Sequence, residues 1–303
     1  MGAGHGHGQP TAGAANRGRL AVVLLMMLSV AAVQVLGAVA TGSLALLADA
    51  GHTVTDSFGV ALALAAVWIA ARPACMKRTF GYQRAEILAA ALNALVLFAL
   101  CTFIVVEAID RLQNPHPVAG PGMVIVAAIG LVMNIVALLV LRTGQKESLN
   151  VRGAYLEVMG DALASLGVIA GGILIWLTGW ERVDSLISLA IAAVIVPRAW
   201  NLLREAVHVL LEATPRDMDL NEVRAHMLRQ PGVIDVHDLH AWTITSGVPV
   251  MSAHVVVTED RLADAGRMLD ELHACLTGHF DVEHSTLQIE PEGHVDHEGA
   301  RHH

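Results

Sequence analysis

The sequence predicts an α-helical membrane protein of six spans followed by a small α+β domain. Three observations carry that reading. Six apolar stretches reach the ~20 residues that a membrane-crossing helix needs. The composition is charge-poor, with 54% hydrophobic and 16% charged residues among 303. The long apolar runs stop near Leu211, and from Glu212 onward the chain becomes charged and alternating. The expected organisation is a tail over residues 1–17, a membrane domain over 18–211, a soluble domain over 212–291 and a second tail over 292–303.

The spans are Leu20–Ala40, Leu44–Ala70, Glu86–Ile109, Gly122–Leu141, Gly153–Leu177 and Val183–Leu203. Short connections rich in Gly or Pro separate several of them, as at Thr41-Gly42-Ser43, Asn114-Pro115-His116-Pro117 and Thr178-Gly179. Basic residues alternate between the loops. Arg17 and Arg19 precede the first span, Arg72, Lys77, Arg78 and Arg84 follow the second, and Arg142, Lys146 and Arg152 follow the fourth. The other three loops carry no basic residue, Arg111 alone and Arg182 alone. The positive-inside bias then places both termini, and the soluble domain with them, in the cytoplasm. Arg17, Arg19, the first apolar run and Ala38-Val39-Ala40 also mimic a secretory signal. That run exceeds a signal's apolar region, and the loop alternation works with the first span retained.

After Pro215 the pattern predicts a helix (Met218–Arg229), two alternating strands (Val233–Ile244 and Val248–Thr258), a second helix (Arg261–Gly278) and a last strand (Ser285–Glu290). Ser246-Gly247 supplies the hairpin turn. This αββαβ order implies a three-stranded sheet with helices on one face.

Composition also excludes. A net charge of −9 without a clustered basic face argues against a nucleic-acid partner. The three cysteines (Cys75, Cys101, Cys275) form no CxxC pair, so neither a disulfide framework nor a thiolate zinc knuckle is indicated. No span contains the HExxH pair of an intramembrane metalloprotease, and no enzymatic activity is expected.

Two ionisable clusters interrupt the spans: Asp49, His52 and Asp56 in the second, Glu157 and Asp161 in the fifth. Each such side chain costs ~2.5 kcal/mol or more at membrane depth. Positions 49, 52 and 56 share one helical stripe, as do 157 and 161. In a six-span topology the two helices run antiparallel, which brings Asp56 and Asp161 to comparable depth. His52, Asp56, Glu157 and Asp161 then supply four ligands for one divalent ion, and zinc accepts imidazole and carboxylate in tetrahedral geometry. Asp49 reads as a relay or as a partner supporting His52. The alternative, hydrogen-bonding glue between helices, suits lone residues such as Gln34, Asn93 and Asn134 better than two paired clusters. A transporter, a passive divalent channel and a metal sensor all remain compatible with these residues, and flux and metal-driven proton movement separate them.

Four segments, LLADAGHTVTD (Leu46–Asp56), RTFGYQRAEILAAALNAL (Arg78–Leu95), SLNVRGAYLEVMGDALASLGVI (Ser148–Ile169) and VHDLHAWTITSG (Val236–Gly247), resemble the cation diffusion facilitators. The similarity is greatest to the bacterial cobalt–zinc–cadmium efflux subgroup and covers residues 18–291. It implies a homodimer of six-helix protomers in the bacterial inner membrane, each with a cytoplasmic ferredoxin-like domain, exchanging a divalent metal such as Zn2+ for protons. The resemblance carries the transport site onto His52, Asp56 and Asp161. Many zinc-selective members have histidine where this chain has Glu157, and a harder site relaxes the preference for zinc over cobalt and cadmium. The resemblance further implies a charge pair between Arg84 and Glu212 that holds the dimer; a snorkelling Arg84 is the competing reading. It also implies regulatory metal in the soluble domain, with His237 and His254 matching best and His240, His284 and Glu290 as further candidates. Gln288 stands where some members have a histidine ligand. The tails carry His5, His7, His294, His297, His302 and His303, which read either as metal-collecting tracts or as polar ends.

Overall fold

A computed structural model describes residues 12–142, 149–245, 247–282 and 284–294. All six apolar stretches are helices: α1 (Ala12–Thr41), α2 (Leu44–Ala70), α3 (Ala85–Gln113), α4 (Gly120–Leu141), α5 (Leu149–Thr178) and α6 (Arg182–Leu210). Most extend beyond the apolar run by a turn or more, because the flanking polar residues also favour helix. Among the described residues, segments of α1, α3, α4, α5 and α6 are long and apolar enough to cross a membrane. The α2 helix falls outside that set; Asp49, His52 and Asp56 dilute its apolar run, and three of its side chains are not described. The chain divides into two compact units, Met1–Ala63 with Leu92–Leu202, and Leu64–Ala91 with Leu203–His303.

In the first unit, α4 packs against both α1 and α5. Glycine makes the close approach. A Cβ on Gly120 would lie 2.8 Å from the Gly172 carbonyl oxygen, and one on Gly37 would lie 2.5 Å from Val126 Cγ1. Small residues at helix contacts are how membrane helices gain packing when lipid removes the hydrophobic drive between them. Leu44, Leu46, Ile104, Met123 and Ile175 fill the interior, while Leu36, Val39, Phe103, Val106, Leu139 and Leu163 point outward. Apolar residues on both the inner and outer faces suit helices solvated by lipid.

The start of α2 is held from two sides. Gly42, at φ +74°, turns the chain between α1 and α2, and the Gly42 carbonyl accepts from Arg111 at 2.7 Å. Asp184, 1% exposed on the first turn of α6, accepts from Ser43 Oγ at 2.6 Å, from Leu44 N at 2.6 Å and from Ala45 N at 3.2 Å. A carboxylate at a helix N-terminus satisfies orphan amides and meets the positive end of the helix dipole.

The second unit holds the α+β domain: α7 (Leu220–Leu228), β1 (Val233–Thr243), β2 (Pro249–Val257), α8 (Glu259–Leu262), α9 (Ala265–Phe280) and β3 (His284–Pro291). The sheet order is β1-β2-β3, with β1 antiparallel and β3 parallel to the central β2. Val223 and Met227 of α7 and Met268, Leu272 and Leu276 of α9 recur at helical spacing and bury against Val236, Met251 and Val255 of the sheet. The β1–β2 turn closes through Ile244 N to Val248 O, with Gly247 at φ +75°. Ser246, the other expected turn residue, lies outside the described residues.

One element departs from expectation. The helix expected over Arg261–Gly278 is broken into α8 and α9 at Ala263 and Asp264. Arg261, inside α8, holds that short helix by its side chain: the Pro231 carbonyl accepts from Nε at 2.9 Å, and Glu271 forms an ion pair with it. Asp264 competes for local hydrogen bonds and favours the start of a helix over its interior.

Candidate metal centre

His52 sits in the buried interior of the first unit between carboxylates of α2 and α5. Its Nδ1 lies 3.2 Å from Asp56 Oδ2, and its Nε2 lies 4.0 Å from Asp161 Oδ1. Glu157 interacts with Asp56 and Asp161 both electrostatically and, at Asp56, within hydrogen-bonding reach. Asp49 interacts with Asp161, while Asp56 meets Glu157, so α2 and α5 run in opposite directions past the site. The four side chains expected to share an ion are therefore brought together. Zinc with nitrogen and oxygen ligands at ~2.0–2.1 Å sets tetrahedral ligand separations near ~3.3 Å. The 3.2 Å and 4.0 Å separations bracket that value. Because one ion takes one ring nitrogen, closing the shell around it requires a rotation of the His52 ring or of the Asp56 carboxylate.

Two atoms here have no hydrogen-bond partner among the described residues: His52 Nδ1 and Asp56 Oδ2. Their 3.2 Å approach is not aligned as a hydrogen bond. Buried polar atoms are satisfied in the great majority of cases, so orphaned ligand-type atoms mark a site that something else completes. The hydroxyls around them are already committed. Thr53 donates to the Asp49 carbonyl, Thr55 to Gly51 and Ser57 to Thr53, each one turn back along α2.

Asp49 does not support His52. It accepts from Gln34 Nε2 of α1 at 2.5 Å, because the imidazole turns forward along α2 toward Asp56. Gln34, expected as interhelical glue, fits closely there: a Cβ on Gly130 of α4 would lie 3.2 Å from its Nε2. Sequence reasoning missed Arg198 on α6, whose charge acts on His52, Asp56 and Asp161. Its Nη2 would lie 3.6 Å from a Cβ on Gly160. The available signal was a basic residue inside an apolar span, following Pro197.

A second group of ligand-type residues lies in the α+β domain. His237 of β1 and His254 of β2 are register partners with ring centroids 5.2 Å apart. Glu290 of β3, 1% exposed, reaches both: its Oε1 lies 2.7 Å from His254 Nδ1 and its Oε2 lies 3.6 Å from His237 Nε2. Gln288 donates to the same carboxylate at 2.7 Å. Asp238, absent from the expected set, offers a carboxylate within 4.8 Å of ligand atoms on His237 and His254. A bulge between His237 and His240 and a left-handed φ of +44° at Asp238 turn it there. His240 pairs with Ser252 and lines an adjoining depression with Asp238 and His254. His284 is a correction. It pairs with Val250, four positions along β3 from Gln288, or ~13 Å at strand rise, and its ring packs on Phe80 at 5.6 Å.

Arg84 Nη2 meets Glu212 Oε1 at 2.7 Å, with the side chains 37% and 58% exposed. A pair this wet contributes under ~1 kcal/mol within a protomer. Of the tail histidines, His5, His7, His297, His302 and His303 lie outside the described residues.

The model of the cation efflux transmembrane domain matches residues 20–211, and that of the cation efflux protein cytoplasmic domain matches residues 215–292. The chain is 47% identical over 290 residues to the metal cation efflux system protein CzcD of Cupriavidus metallidurans, covering 96% of this chain and 90% of that protein. It is 36% identical over 300 residues to a cadmium, cobalt and zinc/H(+)-K(+) antiporter of Bacillus subtilis, covering 98% and 94%. It is 41% identical over 260 residues to the zinc transporter ZitB of Escherichia coli, covering 85% and 82%. With both halves matched in order, and with an apolar helical domain ahead of a small cytoplasmic sheet, the chain belongs to the cation efflux family of transmembrane metal transporters.

Proposed function

We propose that this protein exports divalent transition-metal cations from the cytoplasm in exchange for protons, with Zn2+ as the main cargo and Co2+ and Cd2+ as further substrates. The convergence of His52, Asp56, Glu157 and Asp161 between α2 and α5, with orphaned atoms on His52 and Asp56, supports this reading more than any other observation. In the inward-open state the ion displaces protons from the site, since imidazole and carboxylate ligate only when deprotonated. In the outward-open state protons recapture the ligands and release it. Export of a 2+ ion against an inside-negative potential costs ~2.3 kcal/mol per charge per 100 mV, or about 4.6 kcal/mol in total. Protons moving inward offset that cost. Three carboxylates exceed the charge of one divalent ion, which leaves room for a proton on the loaded site.

The working unit in this reading is a homodimer in the bacterial inner membrane, with both termini and the α+β domain in the cytoplasm. His237, His254, Asp238 and Glu290 hold a regulatory metal there. The test uses proteoliposomes with a zinc indicator and a pH indicator inside. An imposed zinc gradient should drive zinc and protons in opposite directions, and Asp161→Asn should abolish both fluxes while leaving the protein folded. Zinc flux without proton movement would make the protein a channel, and wild-type flux in the variant would reject the site.

A further inference from the structure

The described residues contain a second cluster of ligand-type side chains in the α+β domain, on the helices and not on the strands. Cys275 and His279 are spaced i, i+4 on one face of α9, and His226 projects from α7, which packs against α9. The Cys275 sulfur and one nitrogen from each histidine all lie within 4.8 Å of one another. We propose that His226, Cys275 and His279 form a thiolate-containing site for a zinc-class ion, distinct from the sites on α2/α5 and on the strands, that clips α7 to α9.

The ligand atoms are prepared for this. His279 Nδ1 lies 3.0 Å from the Cys275 carbonyl oxygen one turn back. When Nδ1 carries the proton and donates to that carbonyl, Nε2 is left with its lone pair outward, the arrangement that orients metal-bound imidazoles. His226 is packed between the His279 ring, at 4.9 Å, and the edge of Phe280, at 5.2 Å, which limits the rotamers it loses on binding. Zinc with sulfur at ~2.3 Å and nitrogen at ~2.0–2.1 Å needs ligand separations of ~3.3–3.6 Å. Closing from 4.8 Å asks for side-chain shifts of about 1 Å, within rotamer adjustment. Cys275 is buried and His279 is exposed, so the fourth tetrahedral position faces solvent and takes water.

Ligand chemistry sets the class of ion. A thiolate with two imidazoles selects Zn2+, Cd2+ and Co2+ and disfavours Mg2+ and Mn2+, which take oxygen ligands. The membrane cluster and the strand cluster both contain carboxylates and no sulfur. The helix cluster is therefore the softer of the three, and binding there couples cytoplasmic metal to the packing of the two helices that cover the sheet.

The experiment is a Co2+ titration of the full-length, detergent-solubilised, reduced protein carrying Cys75→Ser, which removes the exposed thiol. Only a thiolate ligand gives an intense near-ultraviolet charge-transfer band, so carboxylate and imidazole sites do not contribute. The band should reach the intensity of one thiolate-bound Co2+ per chain, whatever the two sulfur-free sites also take up, disappear on adding Zn2+, persist with Mg2+, and be lost in Cys275→Ser. His279→Gln, on an exposed position that tolerates polar change, and His226→Asn should each weaken Co2+ binding about tenfold or more while keeping the thiol. Absence of the band, its survival in Cys275→Ser, or its indifference to both histidine variants would overturn the proposal. Should Cys275→Ser misfold, the two histidine variants decide alone.

Discussion

Removing the Asp184 carboxylate should both destabilise the membrane domain and disable transport, although Asp184 belongs to none of the three metal clusters. Its two oxygens accept from the Ser43 hydroxyl and from the Leu44 and Ala45 amides, the first free N–H groups of α2. Hydrogen bonds to a charged group contribute about 1.5–3 kcal/mol each, and a buried donor left unsatisfied costs about 1–3 kcal/mol. Ser43 Oγ also accepts from Leu46 N at 3.1 Å, so part of the cap survives. The three bonds are not additive, and the net loss for Asp184→Ala comes to about 3–5 kcal/mol. Asp184→Asn keeps one acceptor but neither the charge nor the second oxygen, and should lose about half as much. His52 lies eight residues along α2 from Leu44, ~12 Å by helical rise, so a frayed start shifts the ligands that follow it. The assay is reversible unfolding in mixed micelles alongside zinc flux in proteoliposomes. A loss below about 1 kcal/mol for Asp184→Ala, or full transport from a destabilised protein, would refute the anchoring role.

Three further outcomes are expected. Glu157→His should sharpen the preference for zinc over cobalt and cadmium, because it replaces a hard oxygen ligand with imidazole; competition flux assays read the ratio, and an unchanged ratio removes Glu157 from the ion's shell. Gly172→Leu should lower stability by about 1–3 kcal/mol through overpacking, since even a Cβ there meets Val124 Cγ2 at 2.8 Å, and thermal denaturation of the purified protein detects it. Arg198→Ala should tighten zinc binding a few-fold and slow release, because it removes a cation acting on His52, Asp56 and Asp161; calorimetric titration checks the sign, and weaker binding would assign Arg198 a structural role.

The fold was legible where one physical signal dominates. Hydrocarbon-length apolar runs defined all six long helices, and period-two alternation defined β1 and β2. The break between α8 and α9 was not legible; beside it Arg261 reaches Pro231, a contact across thirty residues that no local pattern shows. The membrane cluster was legible because ionisable residues in apolar helices are costly and helical spacing places them on shared faces. Asp184 was not, because its role comes from bonds between α6 and the start of α2, and Arg198 showed only as a charge in an apolar span, with no indication of which side chains it acts on. In the soluble domain, His237 and His254 were named through the family resemblance; the bulge before His240 sets them opposite one another and brings in Asp238, and parallel pairing carries His284 away. His226, Cys275 and His279 do not follow CxxC spacing, because the cluster holds one cysteine and one of its three members lies on another helix.

X-ray absorption at the zinc edge of the full-length protein tests the central claim most directly, with Cys275→Ser and Glu290→Gln introduced to weaken the two clusters in the soluble domain. One tightly held zinc per chain should show nitrogen and oxygen neighbours at ~2.0–2.1 Å, no sulfur, and an imidazole signature that vanishes in His52→Ala. A spectrum unaltered by His52→Ala, or the absence of any tightly held zinc, would contradict a metal gripped between α2 and α5.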